Sequence, residues 1–127
     1  MAGFTVLIHP EVLQHKQQSA DALQFMDGQL KALSKSLPKD KLTLLRKVRI
    51  WIEWEARKNG AAEFHPSAIW LKRNGYNPEK AGCIEISNVR NYVQWNREKN
   101  VSAMLHEMSH AFQNLYLGDK HAGISAA

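Results

Sequence analysis

Three residues within a span of five positions, His106, Glu107 and His110, have side chains that could bind and use a metal ion. Histidines four residues apart on an α-helix lie about 40° apart around its axis and roughly 6 Å apart along it, so both imidazoles can reach one ion. Glu107 follows the first histidine directly and is placed to hold a water molecule bound to that ion. The chemistry that this spacing predicts is hydrolysis by a zinc-activated water, with Glu107 accepting the proton.

The motif needs a helix to bring its side chains together, and the surrounding sequence predicts one from about 101 to 117. Apolar residues recur around the motif at helical spacing and supply a face for the core: Met104, Leu105, Met108, Ala111, Phe112 and Leu115. Asn100 or Ser102 could cap the start of this helix, and Gly118 is a stop signal after its last turn. The alternative is a core helix that carries two half-buried histidines and binds no metal.

Short apolar runs predict the strands of a small mixed sheet. Residues 4–8 are apolar and β-branched and predict a buried strand. Residues 48–54 alternate with period two, which places four apolar side chains on one face: Val48, Ile50, Ile52 and Trp54. Residues 83–88 predict a third strand, whose short alternation is typical of a sheet edge.

A long amphipathic helix is predicted between the first two strands. It begins at Pro10 or Ser19, ends before Pro38 and carries an apolar stripe: Leu23, Met26, Leu30, Leu33 and Leu37. A shorter helix is predicted after His65, which is itself a candidate substrate or metal contact, although a loop histidine before a proline is more commonly neither. These elements predict an α+β fold and a single domain over residues 1–127.

Composition limits the class of protein. The chain has 127 residues, of which 44% are apolar and 23% charged, as is typical of one globular domain. It contains no apolar run of membrane-spanning length, and its start lacks a signal-peptide pattern. The single cysteine, Cys83, excludes an internal disulfide and a Cys-x-x-Cys zinc site. The net charge is +5, but the basic residues are scattered, so we expect neither nucleic acid nor a membrane as a partner.

The chain resembles a known family over nearly its whole length. The resemblance rests on five stretches: Gly3–Pro10, Val48–Glu53, Phe64–Ser67, Gly75–Ile86 and Leu105–Phe112. They are similar to a group of uncharacterised bacterial metallopeptidases placed near the anthrax-lethal-factor-like catalytic domains, in the gluzincin-like part of the zincin class. The resemblance implies that His106 and His110 are zinc ligands and that Glu107 is the general base. It also implies a peptide or protein substrate, paired along Ile84–Ser87 as the sheet edge.

The third metal ligand is where the sequence departs from this family. The family pattern has a glutamate on a later helix, but only 17 residues follow His110 and none of them is glutamate. A third histidine of metzincin type is excluded, because glutamine and tyrosine stand where that pattern has glycine and histidine. Asp119 or His121 could reach the ion only if the chain turned back at Gly118, and His121 is the better placed of the two.

Three explanations of the missing ligand stay open. We expect the chain to lack a C-terminal part that carries the glutamate; alternatively a second chain supplies the ligand, or the domain has lost catalysis and kept its fold. The expected function is a zinc-dependent peptidase-like domain that hydrolyses peptide bonds when its ligand set is complete. The alternatives are a catalytically silent binding or interaction domain that retains the zincin fold and, more weakly, a basic nucleic-acid-binding domain.

Overall fold

The computed structural model of the chain describes residues 1–99 and 103–125, and within them the side chains of residues 1–98 and 104–115. The architecture is α+β, as predicted. The helices are α1 (Pro10–Gln14), α2 (Lys16–Ser36), α3 (Lys39–Leu45), α4 (Ala68–Arg73), α5 (Val89–Lys99) and α6 (Ala103–Ser125), with a 3₁₀ turn at Pro78–Lys80. The predicted long N-terminal helix is therefore present, divided at His15 into α1 and α2.

The sheet has the strands β1 (Val6–Ile8), β2 (Ile50–Ile52), β3 (Ala62–Phe64) and β4 (Ile84–Ile86) in the order β1–β2–β4–β3. β1, β2 and β4 run parallel, whereas β3 runs antiparallel to β4 and forms an edge of the sheet. The three predicted strands are confirmed. The prediction that the third lies at the edge was wrong, because β4 lies between β2 and β3 and all its residues are buried.

Two elements of the structure were not predicted from the sequence. The strand β3 has three residues, which is too short to show a period-two pattern. Helix α5 lies in a segment that reads as charged, but its buried residues follow helical spacing, which was the available signal: Val89, Tyr92, Val93 and Asn96. The strand β3 matters for the candidate site, because it packs directly against α6.

The core joins the isoleucines of β2 and β4 to buried side chains of three helices. These are Met26 and Leu30 from α2, Tyr92 from α5, and Met104 and Met108 from α6. The predicted one-sided burial of residues 48–54 is confirmed, since all four alternating apolar side chains belong to this core. The core therefore fixes α6 through its apolar face and leaves the opposite face of this helix outward.

Helix α6 differs from the prediction at its end. It continues through Gly118 to Ser125, so the predicted stop was wrong. A glycine inside a helix costs only about 1 kcal/mol relative to alanine, and no proline follows to interrupt the hydrogen bonds. The helix begins at Ala103, while Val101 and the candidate caps Asn100 and Ser102 lie outside the described residues.

Candidate metal centre

Helix α6 brings the ring nitrogens of His106 and His110 together. Their Nε2 atoms are 3.2 Å apart, and the rings are nearly perpendicular, with centroids 4.7 Å apart. Two histidine ligands at about 2.0–2.1 Å from a zinc ion, at a tetrahedral angle, have nitrogens about 3.3 Å apart. The observed separation therefore fits one shared metal ion. It also fits a hydrogen bond from one Nε2 to the other, whose direction depends on the tautomers of the two rings.

Both histidines lie on the outward face of α6. The side chain of His106 is 65% exposed, and His110 is exposed as well. The opposite face of the helix carries Met104, Met108 and Ala111, which are fully buried in the core. The alternative of half-buried core histidines is therefore contradicted, because the two imidazoles face solvent.

Glu107 lies between the histidines and the edge strand. Its Oε1 accepts a hydrogen bond of 2.8 Å from the backbone N–H of Phe64 in β3, and its Oε2 lies 3.9 Å from Nε2 of His106. The side chain is only 14% exposed. The backbone N–H of His65, the next residue, instead points inward to the carbonyl of Cys83. Alternation along the strand thus turns the Phe64 N–H toward α6, where it holds the carboxylate.

The three side chains form a group that could hold a metal ion. The ligand atoms of His106, Glu107 and His110 all lie within 4.8 Å of one another. Two neutral imidazoles and one carboxylate are donors that suit zinc and other divalent transition metals. Within the described side chains, no further histidine, cysteine, aspartate or glutamate belongs to this group.

The continuation of α6 bears on whether Asp119 or His121 can be the third metal ligand. Because the helix does not turn at Gly118, it carries these two residues roughly 13 to 17 Å along its axis beyond His110. Their side chains lie outside those that the structure describes. The turn on which their predicted role as third ligand depended is absent from the backbone.

A second group of ligand-type side chains lies on the other face of the sheet. It consists of Glu63, His65 and Glu85, with ligand atoms within 4.8 Å of one another. Nε2 of His65 is 2.7 Å from Oε1 of Glu85, and Nζ of Lys80 is 2.7 Å from Oε2 of Glu85. Glu63 accepts a hydrogen bond of 2.5 Å from Arg57. Each carboxylate of this group therefore already has a cationic or histidine partner.

The charge of Glu85 depends on this arrangement. Its side chain is 1% exposed, and burial alone would raise its pKa. Hydrogen bonds from His65 and Lys80, with the positive charge of Lys80, outweigh burial and hold the pKa of Glu85 below the ordinary value. The structure thus places His65, one of the sequence candidates, in a buried ionic cluster and away from the histidine pair. Glu85 and Lys80 were not singled out, because no local pattern marks them.

Some basic residues of the segment 39–49 make contacts within the fold. Arg46 donates from Nε to the carbonyl of Ala2, and Arg49 donates to the carbonyl of Glu79. The ammonium of Lys41 lies 5.7 Å from the ring centre of Phe112. Lys41 and Arg49 nevertheless stay exposed at the surface.

The comparisons with known proteins found no relative of this chain. No family model, no curated protein and no solved structure matches the chain. The resemblance to zincin peptidases therefore stays a prediction from the sequence. Among the helices that the structure describes, none combines the length and apolar character needed to cross a membrane.

Proposed function

We propose that this chain is a zinc-dependent, peptidase-like domain that hydrolyses peptide bonds when its ligand set is complete. The observation that carries the proposal is the convergence of three side chains at one edge of the sheet. The Nε2 atoms of His106 and His110 are spaced for one ion, and Glu107 is held beside them by the edge strand. A metal-dependent hydrolase needs metal ligands and a general base, and these groups have the chemistry for those roles.

His106 and His110 would hold the zinc ion through Nε2. Zinc, when bound, would supply a water molecule of lowered pKa and polarise the carbonyl of the scissile bond. Glu107 is prepared for proton transfer because the Phe64 N–H fixes one of its oxygens. Oε2 remains on the side of the histidines, where it accepts a proton and later delivers it to the leaving amine.

The peptide would pair with β3 and not with β4. β3 is the edge strand next to α6, and its far side has no neighbouring strand in the described part of the chain. An extended peptide adds to such an edge through main-chain hydrogen bonds, here with edge groups other than the Phe64 N–H, which Glu107 already holds. Pairing there would bring the peptide alongside Glu107, which is bonded to the same strand. This replaces the substrate position implied by the resemblance.

Activity would require a third protein ligand for the zinc ion. Catalytic zinc sites have three protein ligands and one open position. The described side chains offer two histidines, together with a glutamate that is needed as the base. The ligand would therefore come from outside these described side chains, for example from a partner chain.

The second candidate function is a catalytically silent binding domain. The incomplete ligand set in the described side chains is what favours it. Such a domain would retain the metal and the peptide-binding edge without turnover. A nucleic-acid-binding role ranks third, because the basic residues are scattered along the sequence.

The test is zinc content and peptide hydrolysis, measured on the purified protein with three variants. With the third ligand supplied, we expect wild type to bind one zinc per chain, His106→Ala to lose it, and Glu107→Gln to keep it but lose turnover. His9→Asn is the matched control, because it removes a histidine but keeps an acceptor for the N–H of Glu11. Zinc without turnover, in a form of the protein whose third ligand is supplied, would favour the silent domain. Equal zinc content in wild type and His106→Ala would refute both.

A further inference from the structure

The edge strand that holds Glu107 is itself fixed by a buried charged cluster. Glu63 in β3 and Glu85 in β4 are direct cross-strand neighbours. Two carboxylates in this position repel each other and destabilise the pairing of the strands. Here Arg57 compensates Glu63, while His65 and Lys80 share the two oxygens of Glu85. Lys80 also lies 3.6 Å from a carboxylate oxygen of a further residue, Glu53.

Stability alone does not account for such a cluster. Burying charges costs free energy, and apolar side chains of similar volume are often equally stabilising. His65, Lys80 and Glu85 are all less than a tenth exposed, so their desolvation is substantial. What a buried ionic cluster supplies beyond stability is a defined geometry, because each hydrogen bond has a required direction.

This cluster fixes the backbone geometry around Phe64. The side chains of Glu63 and His65, the residues on either side of Phe64, are both held on the face of the sheet that carries Glu85. The backbone of His65 is also fixed, since its N–H donates to Cys83 and its carbonyl accepts from Gly82. With both neighbours held, the N–H of Phe64 has one direction available, toward α6.

We propose that His65, through Glu85 and Lys80, is a positioning residue for Glu107. His65 anchors the end of β3, β3 presents the Phe64 N–H, and this N–H orients the carboxylate of Glu107. The functional meaning of this chain of contacts rests on the proposed function. The claim that His65 orients the Glu107 carboxylate is independent of the proposed function, because it concerns a hydrogen bond that exists without metal or substrate.

Amide hydrogen exchange of Phe64, followed by NMR on the metal-free protein, tests the proposal. We expect His65→Ala to accelerate exchange at Phe64 by about tenfold more than at the amides of β2, the factor for loss of one ordinary hydrogen bond. His65→Gln should restore much of the protection, because its amide can still donate to Glu85. Glu107→Ala should accelerate the same amide, since it removes the acceptor.

Val12→Ala is the control for general destabilisation, because Val12 is 1% exposed in α1 and lies in the core outside the charged cluster. It should accelerate exchange at Phe64 and in β2 by the same factor. If His65→Ala does not fold, Glu85→Gln is measured in its place, with the same expectation. The proposal would be overturned if His65→Ala accelerated exchange at Phe64 only as much as at the amides of β2. It would also be overturned if Glu107→Ala left the exchange of the Phe64 amide unchanged.

Zinc binding separates this inference from the proposed function. We expect His65→Ala to bind zinc as wild type does and, in an active form of the protein, to lower kcat more than it changes KM. Absence of zinc binding in wild type would refute the proposed function and leave the exchange result intact. Normal zinc binding with no selective effect at Phe64 would refute the positioning role alone.

Discussion

The backbone N–H of Phe64 donates a hydrogen bond of 2.8 Å to Oε1 of Glu107, which joins the edge strand to the helix that carries the histidine pair. These residues are 43 positions apart in the sequence. The bond leaves one carboxylate oxygen directed toward His106. Glu107 therefore has a structural role, as the acceptor for the edge strand, and a proposed chemical role beside the histidines. Mutation can separate the two.

Replacing Glu107 should separate its structural task from its chemical one. Glu107→Ala removes the acceptor from a partly buried N–H and should lower the free energy of unfolding by about 1–3 kcal/mol. Glu107→Gln keeps an oxygen acceptor and should cost less than about 1 kcal/mol. Urea unfolding followed by fluorescence of the four tryptophans measures both values. Equal stability of the two variants would contradict the role of this hydrogen bond.

Zinc should stabilise the folded chain through the histidine pair. A ligand that binds only the native state adds about 2.7 kcal/mol when its free concentration is 100 times its Kd. We therefore expect zinc to raise Tm in wild type and to have little effect on His110→Ala. The control His9→Asn should respond as wild type does. A rise in Tm of equal size in His110→Ala would place the bound zinc elsewhere on the protein.

The core should be far more sensitive to truncation than the surface of α1. Leu30 in α2 is completely buried, and Leu30→Ala should cost about 2–5 kcal/mol because it leaves a cavity. Leu13 is 55% exposed, and Leu13→Ala should change stability by less than about 0.5 kcal/mol. Chemical denaturation of both variants gives the comparison. Similar losses at the two positions would mean that α2 does not pack as described.

The lowered pKa of Glu85 predicts a loss of stability in acid. The ordinary value is 4.5, and the folded state lowers it through the hydrogen bonds from His65 and Lys80. A lowered pKa contributes stability that is fully present above the ordinary value and is lost as the pH falls through the folded value. Between pH 7 and pH 3, wild type should therefore lose more stability than Glu85→Gln does. Parallel pH profiles of the two proteins would show that Glu85 is not responsible.

The sequence predicted the parts of this molecule that depend on local pattern. The strand at 48–54, the long N-terminal helix and the helix of the histidine pair each follow from the period of their apolar residues. The convergence of His106 and His110 also follows from spacing alone, because positions four apart on one helix are neighbours. Their exposure then followed from the burial of Met104 and Met108 on the other face.

The tertiary structure decided which partners these local elements meet. Nothing in the local sequence marks a three-residue strand at Ala62–Phe64, makes it the edge of the sheet, or directs the N–H of Phe64 to Glu107. The same holds for the buried cluster around Glu85, which also draws on Glu63 in β3, His65 just after it, Lys80 in the 3₁₀ turn and Arg57 in a loop. Such contacts form only when residues distant in the chain are packed together, and their geometry depends on the register of the whole sheet rather than on the period of any one segment.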